Sequence, residues 1–105
     1  MARSQIASEN YNLLYAGIKS FTGQRGMSCS IKTFFDGSAI VNINVSASNT
    51  SVTVSAIIVA LYENDRIVGY RVSNEDKSLK VDKIQECIGF CRTLVNDTRV
   101  ILSKI

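Results

Sequence analysis

The chain contains no histidine and no proline, and its three cysteines are an odd number. Without histidine, acid–base chemistry would depend on carboxylates, lysine or tyrosine, and a cysteine nucleophile would lack its usual basic partner. A zinc site takes four ligands, usually cysteine or histidine, so three cysteines cannot complete one alone. An odd count also fits free thiols better than a disulfide framework. We therefore expect no enzymatic activity, no metal and no cofactor.

Long apolar runs and targeting segments are also missing. No stretch reaches the roughly 18 consecutive apolar residues of a membrane span. Residues 1–10, MARSQIASEN, lack the apolar segment of a signal peptide. Together with free thiols, this favours a cytoplasmic protein that does not enter a membrane. Since no repeat or low-complexity segment marks a linker, we expect residues 1–105 to form a single domain.

Two parts of the chain have the apolar spacing of helices. Ser8 can cap a first helix over residues 8–21. Near the C-terminus, apolar residues recur at steps of four and three, which predicts a long helix over residues 82–105, with residues 98–105 as a strand left as an alternative. The residues of this stripe are Ile84, Ile88, Cys91, Val95, Thr98, Leu102 and Ile105. Cys87 lies beside the stripe, so we interpret Cys87 and Cys91 as buried structural thiols.

Between the helices, residues 28–73 alternate with a period of two, which predicts a four-stranded antiparallel meander. The fold class is therefore α+β, with an N-terminal helix, a meander sheet and a long C-terminal helix. Turn residues divide the strands at Asp36-Gly37-Ser38, at residues 48–51 and at Asn64-Asp65. A three-residue first loop would pair Phe35 with Ala39, whereas an even loop would invert the faces of the strand.

In this arrangement, the second face of the sheet is also partly apolar. If both helices cover the first face, eight side chains form an uncovered surface: Phe34, Ile40, Ile57, Val59, Leu61, Val68, Tyr70 and Val72. A solvent-facing side of an antiparallel sheet normally carries polar residues. The pattern predicts a homodimer joined through this second face. In the alternative, the first helix covers that face and the protein is a three-layer monomer.

Two functions are compatible with these features. The first is a non-catalytic protein-interaction module that acts as a homodimer, such as a small inhibitor or adaptor from a virus or mobile element, binding another protein. The second is a nucleotide- or nucleic-acid-binding module, for which the net charge of +3 is a weak indication. Its candidate anion contacts are basic residues at the sheet rim and in the first connecting loop: Arg25, Lys32, Arg66 and Arg71.

Overall fold

Two helices and five antiparallel strands make up the chain, in a computed structural model that describes residues 3–23, 27–47 and 49–104. In chain order the elements are α1 (Arg3–Thr22), β1 (Met27–Thr33), β2 (Ala39–Ala47), β3 (Thr50–Glu63), β4 (Arg66–Ser73), β5 (Ser78–Val81) and α2 (Ile84–Ser103). The strands pair in sequence order, each with the next. The predicted α+β fold is confirmed, except that the sheet has a fifth strand.

Both helices pack on the same face of the sheet. Leu14 and Ile18 of α1 are fully buried in one cluster with the buried residues of α2 and of the strands. From α2, the core contains Ile84, Cys87, Cys91, Val95 and Leu102. The strands contribute alternate positions, as expected for a sheet with one covered face. Because α1 belongs to this core, the three-layer alternative is excluded.

The helix ends differ from the predicted ones. Helix α1 already begins at Arg3, so Ser8 lies inside it and does not cap it. Helix α2 begins at Ile84, and the Glu86 carboxylate accepts backbone N–H bonds from Asp82 at 2.9 Å and Lys83 at 3.0 Å. The Glu86 carboxylate thus satisfies two backbone N–H groups just before the first turn of the helix. The helix continues to Ser103, which excludes the strand alternative for residues 98–103.

The first two hairpins have the predicted faces but not the predicted register. Thr33 pairs with Ala39, so the first loop spans residues 34–38, and Phe35 is 71% exposed and faces away from the core. In the second hairpin, Ala47 pairs with Thr50, which excludes the predicted four-residue loop. Ser48 lies outside the described residues. Each register is two residues from the predicted one, and an even shift leaves the faces unchanged.

The third hairpin has the predicted two-residue turn, followed by a β-bulge. Asn64 and Asp65 have φ angles of 52° and 63°, as a tight hairpin turn requires. Further along, Tyr62 pairs with Ile67 and Leu61 with Gly69, so one residue of β4 has no partner. A single extra residue moves every later side chain of the strand to the other face.

Because of the bulge, two residues lie on the opposite face of the sheet from the predicted one. Val68 is the extra residue, and beyond it Tyr70 and Val72 point toward the helices. Tyr70 is 7% exposed and Val72 is fully buried. Their assignment to the second face was therefore wrong, because it assumed a regular ladder through β4. The sequence signal for the bulge was Gly69, since a glycine inside a strand often marks one.

Strand β5 was not predicted because it is short and polar. The Asn74 side chain accepts backbone N–H bonds from Asp76 at 3.0 Å and Lys77 at 2.8 Å, which forms a side-chain-stabilised turn. This turn returns the chain along β4, where Val81 is buried against the core. A side chain at Gly69 would place its Cβ 2.7 Å from the Val81 carbonyl oxygen, so β4 and β5 can approach closely only with glycine there.

Candidate interaction surface

The face of the sheet opposite the helices, called the outer face below, is divided into an apolar and a polar half. The apolar half, called the apolar patch, consists of Phe34, Ile40, Ile57, Val59, Leu61 and Val68. Ile57, Val59 and Val68 are between 43% and 50% exposed. The structure thus brings together six of the eight predicted interface residues on one exposed surface. Their role as an interface remains a prediction.

The polar half contains amide and hydroxyl side chains that bind one another across the strands. The Asn44 amide nitrogen donates to the Ser51 hydroxyl at 2.9 Å and to the Thr53 hydroxyl at 3.3 Å. Its amide oxygen accepts the hydroxyl of Ser46 at 3.1 Å. In the cross-strand pair of Asn42 and Ser55, the Ser55 hydroxyl donates to the Asn42 amide oxygen. These groups are exposed and bonded among themselves, so this half is suited to solvent.

The predicted anion contacts of the outer face are separated from one another. Lys32 and Arg71 lie on β1 and β4, three strand spacings or about 14 Å apart across the sheet and offset by two residues along it, with apolar side chains between them. Arg66 lies at the tip of the third hairpin opposite Glu63. Arg25 lies outside the described residues. The four predicted anion contacts therefore do not form a common basic pocket among the described residues.

Lys32 and Arg71 instead adjoin the apolar patch. Lys32 pairs with Ile40 and lies above the Phe34 ring, with its Nζ atom 5.4 Å from the ring centre. This is the geometry of a cation–π interaction. Arg71 lies opposite Val59 and donates from Nη1 to the Ser78 hydroxyl at 3.4 Å. The surface is thus apolar at its centre with positive charge on two sides.

Cys87 and Cys91 are buried in the core as free thiols, in agreement with their predicted role. Burial, with the neighbouring Cys91 as a smaller cause, raises the pKa of Cys87 to about 12. Burial alone raises the pKa of Cys91 to about 12. Both thiols therefore stay protonated at neutral pH, and a thiol without its thiolate form is a poor nucleophile. Within the described residues, no group of three or more His, Cys, Asp or Glu could hold a metal ion.

A buried polar contact that the sequence did not reveal joins α1 to the sheet. The Asn10 side chain, 6% exposed, donates to the Gly37 carbonyl at 3.0 Å and to the Tyr70 hydroxyl at 3.2 Å. Burial raises the pKa of Tyr70, which keeps its hydroxyl neutral. Asn10 therefore connects α1 with the first hairpin loop and with β4. A polar residue on the apolar side of a predicted helix was the available signal.

Comparison with known proteins does not assign this chain to a family. No protein-family model matches it, and no curated protein or solved structure shows a significant similarity. Neither helix, over its described residues, combines the length and the hydropathy of a membrane span. The function is therefore inferred from the surfaces of the chain itself.

Proposed function

We propose that this protein is a non-catalytic interaction module that forms a homodimer through the apolar patch of the outer face. The observation that carries this proposal is that Ile57, Val59 and Val68 stay about half exposed on a sheet face that neither helix covers. Uncovered apolar surface of this kind marks interaction sites. The raised thiol pKa values and the lack of histidine support a role in binding more than one in catalysis.

The size of the patch fits a reversible dimer. Its six side chains expose on the order of 400 Å², about half of what each partner contributes to a standard interface. At about 25 cal/mol per Å², burying this area contributes about 10 kcal/mol per protomer. Association costs about 4 to 15 kcal/mol. An interface formed by this patch alone is at the small end of the range, as in transient complexes.

The charges around the patch predict how the dimer responds to salt. A two-fold axis through the patch brings Lys32 and Arg71 of the two copies to the rim of the interface, where like charges repel each other. Salt screens charges at an exposed rim. Higher ionic strength should therefore tighten the dimer. Binding of the protein to nucleic acid would show the opposite dependence, because phosphate contacts weaken as salt is added.

Sedimentation of the wild type and of Val59→Asp tests the proposal. The wild type at tens of micromolar should sediment at about twice the chain mass of 11.5 kDa. Val59→Asp places a charge in the centre of the patch and should give a folded monomer, because Val59 is 43% exposed and not part of the core. Thr53→Asp is the matched control, since it adds the same charge to the polar half of the same strand. A wild type that remains monomeric would exclude the dimer.

The nucleic-acid-binding alternative is tested with the same protein. A single-stranded oligonucleotide that binds the wild type at low salt, and whose affinity falls steeply as salt is added, would support it. Replacing Lys32 and Arg71 with glutamine should then weaken binding. Absence of binding at low salt would remove this alternative. The separation of these two basic residues on the sheet favours the interaction module.

A further inference from the structure

The long strand β3 is paired on both sides over only part of its length. It has 14 residues, and β2 pairs with it from Thr50 to Ile58. On its other side, pairing with β4 begins at Ile57 opposite Ser73 and continues to Glu63. Among the described residues, no strand pairs with this side of residues 50–56. This segment, called the open edge, is therefore a free sheet edge next to the end of β4.

The direction of the backbone groups on the open edge follows from the hairpins. In a two-residue hairpin, the residues that flank the turn exchange both of their hydrogen bonds. Glu63 therefore points its N–H and C=O groups toward β4, and Thr50 points its own toward β2. Because direction alternates along a strand, residues 51, 53 and 55 present their backbone groups at the open edge. The backbone N–H of Ala60 agrees with this alternation, since it donates to the Ser38 hydroxyl on the β2 side at 2.9 Å.

The open edge lacks the features that usually protect a free edge. Charged side chains, proline and bulges prevent edge strands from pairing with other chains. Lys80 lies on β5 and Lys32 on β1, at the two outer edges of the sheet. Residues 50–56 have the sequence TSVTVSA, with neither a charge nor proline. This segment is therefore suited to pairing with another strand.

A groove runs along the open edge on the helix side. It has a volume of about 410 Å³ and lies between β3, the turn from β4 to β5 and the C-terminal half of α2. Val52 and Val54 line it from the strand, and Leu94 and Ile101 line it from the helix. Ile101 is 62% exposed. Side chains of an added strand would alternate between this groove and the outer face.

The groove also contains acidic residues. Glu75, Asp76 and Asp97 line it, together with the basic residue Lys77. Lining residues with two net negative charges favour a ligand with positive charge. The apolar walls favour valine- or leucine-sized side chains beside that charge.

From these features we infer that the open edge binds an extended peptide segment of a partner protein, which adds a strand to the sheet beside residues 50–56. The segment has apolar side chains at alternate positions, which enter the groove, and at least one lysine or arginine near Asp97. Strand addition to a free edge is a common mode of peptide recognition. This site is separate from the apolar patch and does not depend on the proposed dimer.

A synthetic peptide of alternating valine and threonine with a lysine at each end, Lys-Val-Thr-Val-Thr-Val-Lys, tests the inference by NMR titration. The backbone amide signals of Ser51, Thr53 and Ser55 should shift, and their hydrogen exchange should slow, because these N–H groups acquire partners. A peptide with glutamate in place of both lysines should bind more weakly. No amide shift with about 1 mM of the lysine peptide, the range of weak binding, would overturn the inference.

Two substitutions at one position separate strand pairing from other modes of binding. Thr53→Pro removes an N–H that faces solvent, and proline is tolerated at such edge positions. It should weaken peptide binding about tenfold or more, since a peptide carbonyl loses its donor. Thr53→Val keeps the N–H and should bind like the wild type. Equal binding by both variants, with circular dichroism confirming that both are folded, would overturn strand addition.

The effect on self-association distinguishes the partner peptide from a second copy of the chain. Val59→Asp should lose the proposed dimer and still bind the peptide. Thr53→Pro should lose the peptide and keep the dimer. If Thr53→Pro instead abolishes self-association of the wild type, the open edge pairs with a second copy, and the assignment to a partner peptide is wrong.

Discussion

At the contact between the two helices, the effect of one substitution on stability should depend on the side chain that it faces. Gly17 lies within α1, and Ile88 lies in the first half of α2. A Cβ atom at Gly17 would overlap the Ile88 Cδ1 atom and lie 3.0 Å from its Cγ2 and 3.1 Å from its Cγ1. The two helices therefore approach each other at a position where even a methyl group is too large.

The expected free energies follow from two opposing effects. Alanine in place of glycine inside a helix stabilises by about 1 kcal/mol. Forcing an extra carbon into a filled space destabilises by about 1 to 3 kcal/mol. Gly17→Ala should therefore be neutral or destabilise by up to about 2 kcal/mol, because the two effects partly cancel. In the Ile88→Val background, the Cδ1 atom is absent, and the same Gly17→Ala change should be neutral or stabilising.

Urea unfolding of the four proteins of this double-mutant cycle measures the effect. Gly89→Ala in α2 provides the reference for helix propensity alone, because a Cβ atom there would have no neighbour within 4 Å. It should stabilise by about 1 kcal/mol. The interaction energy between Gly17→Ala and Ile88→Val should be about 1 kcal/mol or more in the favourable direction. If Gly17→Ala has the same effect in the wild type and in the Ile88→Val background, the helices do not approach as described.

Two further predictions concern the first hairpin loop and the core thiols. Gly37→Val should destabilise by about 2 kcal/mol or more in urea unfolding. Gly37 has a φ of 89°, and a Cβ atom there would lie 3.2 Å from the Asn10 side-chain nitrogen. A loss of stability below about 0.5 kcal/mol, on the scale of ordinary surface changes, would contradict this. Burial raises the pKa of Cys91 from 9.0 to about 12. The neutral Cys91 thiol therefore makes its full contribution to the free energy of unfolding below pH 9, and this contribution is lost as the pH rises toward 12. Over that interval, the stability of Cys91→Ala should fall less steeply than that of the wild type, by up to about 1.4 kcal/mol per pH unit; equal slopes would show that the thiol titrates normally.

The elements that could be predicted from the sequence are those defined by local periodicity. The stripe of α2 and the alternation of β2 depend on spacings of about 3.6 and 2 residues, and burial of one face follows directly from them. The faces of the first two hairpins were correct although their registers were two residues off, because only an odd shift inverts a strand. Phe35 was expected to pair with Ala39 at the end of β1, and it lies in the loop instead.

The parts that could not be predicted depend on contacts between distant elements. The bulge at Val68 is compatible with the approach of β5, whose Val81 carbonyl lies close to Gly69. Periodicity in β4 alone contains no information about that neighbour. Likewise, the hydrogen bond from Asn10 to the Gly37 carbonyl joins residues 27 positions apart. Consequently two of the eight predicted interface residues moved to the core, while six stayed on the outer face.

Strand β3 connects the two proposed interaction sites and makes them separable. Its C-terminal half pairs with β4, and the side chains of Ile57 and Val59 are exposed there on the outer face. Within the described part of the chain, its N-terminal half has no partner strand on one side, so its backbone groups are available, while its outer side chains, such as Thr53, are polar. Side chains with apolar surface favour face-to-face packing of sheets, whereas free backbone groups favour the addition of a strand. The same strand is therefore suited to a sheet-face partner at one end and to an extended segment at the other.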